Sequence, residues 1–311
     1  MATLTPTSQR QPGWAKLEGF QTWKADQRIS PTDATHAVGL DTPVTTHPIY
    51  SHDGTPVPRK VETWRDGHHV GIVGKDSYHV VPFVEGVLPY IDAIMLETPY
   101  YVTAAGKTHN GARELMVLQW PETLHIDGEQ FNGYAYVINS HDGSTSLALG
   151  LRKERVFCTN QIPALAKAST LKLRHTVSWQ STIEQARQLF KITLQHDELF
   201  EQQVRAAMAT TFTEVQFGKA VDALAPVKEK DGTLKTGRGM TMAENARDAM
   251  WTSWSADDLG NIRGTLFGAQ QAMVAYYDWA YSSDKGRALR AVTATTDQPK
   301  VKAFKTLAAL V

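Results

Sequence analysis

A single cysteine, Cys158, stands among 311 residues. One thiol excludes an intramolecular disulfide framework and any thiolate metal cluster within one chain, and it fits a reducing compartment. No apolar run approaches the roughly 18 residues of a membrane-spanning helix, and the opening MATLTPTSQRQPGW lacks the apolar core of a signal peptide. Neither sign of charge is in excess, with Lys and Arg at 32 and Asp and Glu at 32, which excludes a uniformly basic nucleic-acid binder. The composition, 42% hydrophobic and 21% charged, weighs against wholesale disorder, collagen-like and repeat architectures. What remains is a soluble protein of cytosolic type, long enough to bury a sizeable core.

The charge balance conceals a division. Residues 1–150 carry 10 basic and 16 acidic side chains, and residues 151–311 carry 22 and 16. The densest positive stretch runs from Leu151 to Arg174, with Arg152, Lys153, Arg155, Lys167, Lys172 and Arg174 against Glu154 alone. Such asymmetry suits an anionic partner, contacts between subunits through opposite faces, or simply a solvated basic face.

The local pattern predicts strands first and helices afterwards, hence an α+β fold with an antiparallel sheet in the N-terminal half and a helical C-terminal portion. A short helix is expected over 31–37, with Ser30 as cap and Pro31 in the first turn. Arg65-Asp66-Gly67 reads as a hairpin turn, and 84–96 carries apolar residues at helical spacing. Strands are expected over 100–104, 114–120, 133–139 and 144–151, with a tight primed turn at Asp142-Gly143 and a further short strand at 156–158. Later, 163–168 suits a short helix, Ser181 caps a long one reaching 208, and Thr213 with Gln216 caps one ended by Pro226. The charged, glycine-bearing 227–240 reads as a mobile loop or linker between a core domain over 1–226 and a helical region over 241–311. Helices are expected there over 242–253, 261–281 and 300–310.

Familiar motifs find little support. Ala105-Gly106-Lys107-Thr108 invites a phosphate-loop reading, but the glycine needed five residues before Gly106 is Tyr101, and the segment lies between strands. The tetrapeptide Ser-His-Asp-Gly occurs at 51–54 and 140–143, and both copies have turn chemistry. Eleven histidines show no zinc-type spacing, and His68 and His69 fall on opposite sides of a strand. Cys158 in RVFCTN reads as a buried small hydrophobe rather than a nucleophile. The expectation is no metal, no cofactor and no catalytic set. The inventory that fits a chemistry is Arg152, Lys153, Arg155, Asn160, Lys167, Lys172, Arg174 and His175, which combine cations with polar donors suited to a phosphate backbone. Tyr100, Tyr101, Tyr134 and Tyr136 are candidates for base stacking, although Tyr134 and Tyr136 on one strand face equally form a core pair.

On NSHDGS (139–144), RVFCTN (155–160) and LRHT (173–176), the chain resembles a domain-of-unknown-function family of phage- and plasmid-like proteins. Further matching pieces are PGWAKLEGF (12–20), AVGLD (37–41), VGIVGKDSYHVV (70–81), residues 101–121 and GTLFGAQQAMVAYYDW (264–279). Two departures stand out: Pro82-Phe83 where the family has a polar pair, and Thr159-Asn160-Gln161-Ile162 after the cysteine. The resemblance implies a phage or plasmid origin and the cytoplasm of a bacterial host. More remotely, the order of helix, strands, basic turn and helix resembles Rad-type single-strand annealing proteins, whose subunits form rings or filaments. That implies an ATP-independent homo-oligomer that binds single-stranded DNA, with no membrane partner. The competing expectation is an oligomeric protein-interaction factor, an anti-host-defence protein or assembly scaffold, without nucleic-acid affinity.

Overall fold

The structure, a computed structural model, describes residues 19–156, 160–162, 170–173, 198–281 and 298–311. Ser30 accepts the Asp33 amide and Pro31 opens α1 (Pro31–Ala37), as the sequence predicts. Before it lies β1 (Phe20–Thr22). After it come β2 (Thr45–Tyr50), β3 (Pro56–Arg65) and β4 (His68–Gly74), a separate three-stranded antiparallel sheet. Asp66 (φ 51°) and Gly67 (φ 74°) both sit in the left-handed region, the primed turn that matches strand twist. The predicted helix over 84–96 is present as a wide turn at Phe83–Val87 running into α2 (Leu88–Glu97).

The main sheet is built from β5 (Tyr101–Thr108), β6 (Arg113–Gln119), β7 (Leu124–Ile126), β8 (Glu129–Ser140), β9 (Leu147–Arg155), β10 (Asn160–Ile162) and β11 (Thr170–Leu173), with β1 on its edge. The order β1-β5-β6-β8-β9-β10 is antiparallel throughout, β7 pairs with β8, and β10 and β11 pair with the two halves of β9. Both faces are apolar, which explains why the strands read as continuous hydrophobic runs. Val102, Met116, Leu118, Val137, Leu149 and Leu151 pack with Ile91 and Ile94 of α2, and Leu115, Val117, Tyr134, Tyr136 and Ile138 fill the other face.

The Ala105–Thr108 segment, read as a turn between strands rather than a phosphate loop, is itself part of strand β5. Its glycine serves packing: a Cβ on Gly106 would stand 2.5 Å from the Phe20 ring and 2.6 Å from the Gly19 carbonyl, so only glycine lets β1 lie there. Lys107 is bound to Asp66 (2.9 Å) and to the Gly39 carbonyl (3.2 Å).

The helices follow: α3 (198–209), α4 (Glu214–Leu224), α5 (Gly237–Trp254), a 3₁₀ turn at Asp257–Ile262, α6 (Leu266–Trp279) and α7 (Gln298–Ala308). Thr213 and Gln216 form the predicted capping box. Phe200, Phe212, Phe217, Met250, Trp254, Phe267 and Phe304 form one core with Ile126 and Phe131 of the sheet. That cluster crosses 227–240, so the helices before and after this stretch share a core with the sheet. Instead of a loose linker, 227–235 forms a short hairpin, with Lys228 and Leu234 bridged, and α5 starts at Gly237 rather than Met242. The helix expected over 163–168 and the first part, 181–197, of the one expected to reach 208 lie outside the described residues, together with Phe157 and Cys158; the rest of the long helix is α3.

Candidate nucleic-acid interface and a buried polar centre

By sequence, the strand after the Asp142 turn ends at Leu151, with a further short strand expected only at 156–158. In the structure β9 continues through this run to Arg155, and Val156 is already in the turn beyond it. Lys153 (7% exposed), Glu154 (2%) and Arg155 (3%) are therefore inside. Arg155 Nε donates to Glu129 Oε2 and Nη1 to the Asp258 carbonyl at 2.9 Å. A guanidinium neutralised and desolvated in this way serves the fold, so Arg155 and Lys153 are corrected from phosphate contacts to interior groups. Arg152 is half-buried, its guanidinium carbon 5.2 Å from the centre of the Tyr136 ring. Asn160 lies on β10 opposite Arg155, and Lys172 on β11 opposite Ala148. Lys167, Arg174 and His175 lie outside the described residues. Of the basic candidates the structure thus brings together Arg152 on β9 and Lys172 on β11, two paired strands at one end of the main sheet; β10 carries no basic residue.

The aromatic candidates are buried: Tyr100 at 5%, Tyr101 at 6%, Tyr134 at 4% and Tyr136 at 3%. Tyr134 and Tyr136 face each other at 6.4 Å, and Tyr100 meets the edge of Trp120 at 5.1 Å, so these rings are core. At the C-terminal end of β9 a cleft of about 340 Å³ is lined by Glu129, Arg155, Asp257, Asp258 and Asn261, mixed in charge.

A second assembly was not legible in the sequence. Asp142-Gly143 is not a two-residue primed turn: β8 ends at Ser140, β9 starts at Leu147, and Gly143 (φ 71°) alone in this connection takes positive φ. Ser140 Oγ donates to the Thr145 carbonyl (2.7 Å) and accepts its amide (3.2 Å), while Asp142 Oδ1 accepts the Ser144 amide at 2.9 Å. This longer loop turns His141 inward, fully buried, its amide bonded to the Ala112 carbonyl at 2.7 Å. His141 Nε2 stands 3.1 Å from Glu114 Oε2, off the line of a good hydrogen bond, and Nδ1 has no partner among the described residues. Glu114 also takes Arg65 Nη1 at 2.6 Å and Asn139 Nδ2 at 2.7 Å. Burial pushes the Glu114 carboxyl up, but His141, Arg65 and Asn139 outweigh it and hold it below its ordinary value. Tyr78, which donates to the Ser140 carbonyl at 2.6 Å, is raised by burial and by Asp142 and Glu114.

This centre joins the two sheets. Arg65 comes from β3, Glu114 from β6, and Asn139 from β8, while Thr63 of β3 donates to the His141 carbonyl at 2.7 Å. A Cβ on Gly71 of β4 would meet Asp142 Cα at 2.5 Å. Gly71→Ala must therefore shift backbone against backbone, and we expect a loss of about 1–3 kcal/mol in urea unfolding. Among the described residues no group of three or more His, Cys, Asp or Glu gathers to hold a metal ion. The centre is enclosed by packing, an arrangement suited to positioning two sheets.

Residues 70–304, about three quarters of the chain, match the family model described as Domain of unknown function (DUF932). The chain belongs to this family. No curated protein and no solved structure matches it. In this DUF932 protein the match begins on β4 and ends on α7, so it covers Glu114, Asn139 and His141. Thr63 and Arg65, which close the centre from β3, precede the match. No helix among the described residues is long and apolar enough to cross a membrane.

Proposed function

We propose that this DUF932 protein is a phage- or plasmid-encoded single-stranded DNA-binding protein that anneals complementary strands during homologous recombination, without ATP, as a ring or filament. The observation that supports the reading is the basic stretch from Leu151 to Arg174, with Arg152 on β9 and Lys172 on β11, two paired strands of one antiparallel sheet. Cations along such a stretch track a phosphate backbone. Held by its phosphates, a strand presents its bases to a second strand, and pairing supplies the driving force. No covalent step is required. Arg152, Lys172 and, from the undescribed stretches, Lys167, Arg174 and His175 are assigned to the backbone, with Asn160 positioning it. The acidic first half of the chain and the basic second half align neighbouring subunits in the oligomer.

Fluorescence anisotropy with a labelled oligonucleotide across a salt series tests this. Affinity is expected to fall steeply between about 50 and 200 mM salt, and Arg152→Ala or Lys172→Ala each to reduce the log–log slope by about 0.7. No binding at low salt, from a protein that light scattering shows to be oligomeric, would overturn the reading in favour of a protein-interaction factor.

A further inference from the structure

The hairpin over 227–235 and the first turn of α5 carry Lys228, Lys230, Lys235 and Arg238, three of them exposed and Lys235 half-buried. Among the described residues none of the four forms an ion pair. Elsewhere on the surface Lys107 meets Asp66, Arg113 meets Asp142, Arg205 meets Asp127 and Glu201, and Arg247 meets Asp222. The hairpin has two acids of its own, and one is committed to its turn: Asp231 Oδ1 accepts the Thr233 amide (3.0 Å) and hydroxyl (2.6 Å).

The shape is built rather than loose. The Glu229 amide donates to the Thr233 carbonyl at 2.8 Å and the Lys235 amide to the Val227 carbonyl at 2.9 Å. Lys228 and Leu234 are direct antiparallel partners, so they project to one side, and Leu234 is 59% exposed. Arg238 stands in the first turn of α5, where no acidic side chain offsets it and the Thr236 side chain does not cap the helix. A cation at that end opposes the helix dipole and is a locally unfavourable choice. The placement becomes favourable when an anion docks there.

We propose that this hairpin, with the start of α5, is a second contact surface for single-stranded nucleic acid, separate from the sheet edge. The four cations take the phosphates. Leu234, and Met242 (62% exposed) on α5, offer apolar surface to base faces, which a single strand exposes and a duplex hides in its stack. The inference rests on the reading of the protein as a single-strand binder and adds a second site to it.

The test is the full-length protein carrying Lys228→Gln, Lys230→Gln, Lys235→Gln and Arg238→Gln, titrated against fluorescein-labelled oligo(dT) through the same salt series. Four lost phosphate contacts should lower the log–log slope by about 2–3 and the low-salt affinity by at least ~10-fold. Circular dichroism and the melting temperature should stay those of the wild type, because nothing in the described core rests on these side chains. If the wild type binds oligo(dT) and the quadruple variant keeps its slope, the hairpin site is refuted while the single-strand reading stands. A wild type that binds no oligo(dT) overturns both. Binding of the wild type, but not the variant, to vesicles with about a third phosphatidylserine, together with an unchanged oligo(dT) slope, would reassign the hairpin to an anionic membrane surface.

Discussion

Glu114→Ala is expected to destabilise the protein by about 3–5 kcal/mol, since it strands Arg65 as a buried charge whose carboxylate partner is gone. Arg65 is 1% exposed and, among the described residues, keeps only the Gly111 and Gly39 carbonyls as acceptors. Asn139 keeps its bond to the Val81 carbonyl but loses the carboxylate, and His141 loses its neighbouring charge. Denaturant unfolding followed by circular dichroism reads the loss, and a change under about 1 kcal/mol would show that the centre contributes no more than a surface pair. The same carboxylate sets an acid limit. Its folded value lies below the ordinary 4.5, so its contribution is fully present above that pH and disappears as the pH falls through the lowered folded value. Acid unfolding of the wild type should therefore have a component, below about pH 4.5, that Glu114→Gln removes.

The two Ser-His-Asp-Gly tetrapeptides explain what local sequence could and could not reveal. Both make the turn that their residue types dictate, with the aspartate oxygen accepting the amide two residues on: Thr55 for Asp53, Ser144 for Asp142. Turn chemistry is local and was legible. The fates of the histidines differ entirely: His52 is exposed, and His141 is sealed beside Glu114. That difference comes from distant partners, Glu114 beside the ring and Thr63 on the backbone carbonyl, and from β4 crossing Asp142 at Gly71. Nothing within a short window encodes it.

Element types were likewise set by local rules. The capped helices at Ser30 and Thr213, the Asp66-Gly67 hairpin and the four long strands β5, β6, β8 and β9 follow from pattern and turn residues, whereas the short β1, β7, β10 and β11 do not. Two misreadings share one cause. Charge was read as exposure at Arg152 to Arg155, where the strand continues into the interior, and as looseness at 227–239, where polar residues build a hairpin and open a helix. A charged run reports only that water or a partner must satisfy it, and here Glu129 and the Asp258 carbonyl satisfy Arg155. Of the candidate interface the sequence placed β9 only as far as Leu151; β10, β11 and the inward-facing members of β9 were not legible.

Arg155 gives the sharpest separation of structural from nucleic-acid roles. Arg155→Ala leaves Glu129, 7% exposed, as a buried carboxylate without its guanidinium and frees the Asp258 carbonyl, which should cost about 3–5 kcal/mol. Removing both charges at once, as Arg155→Met with Glu129→Leu, replaces the pair by apolar side chains of similar length and should recover most of that loss. The two accounts of Arg155 then diverge. If it holds the fold, the double variant unfolds near the wild type in denaturant and keeps the wild-type salt dependence on labelled oligo(dT). If it holds a phosphate, the double variant is stable but its log–log slope is lower by about 0.7. The buried geometry of the Glu129 ion pair calls for the first outcome, because a guanidinium that reached for phosphate would have to abandon a carboxylate inside the protein and leave that charge without compensation.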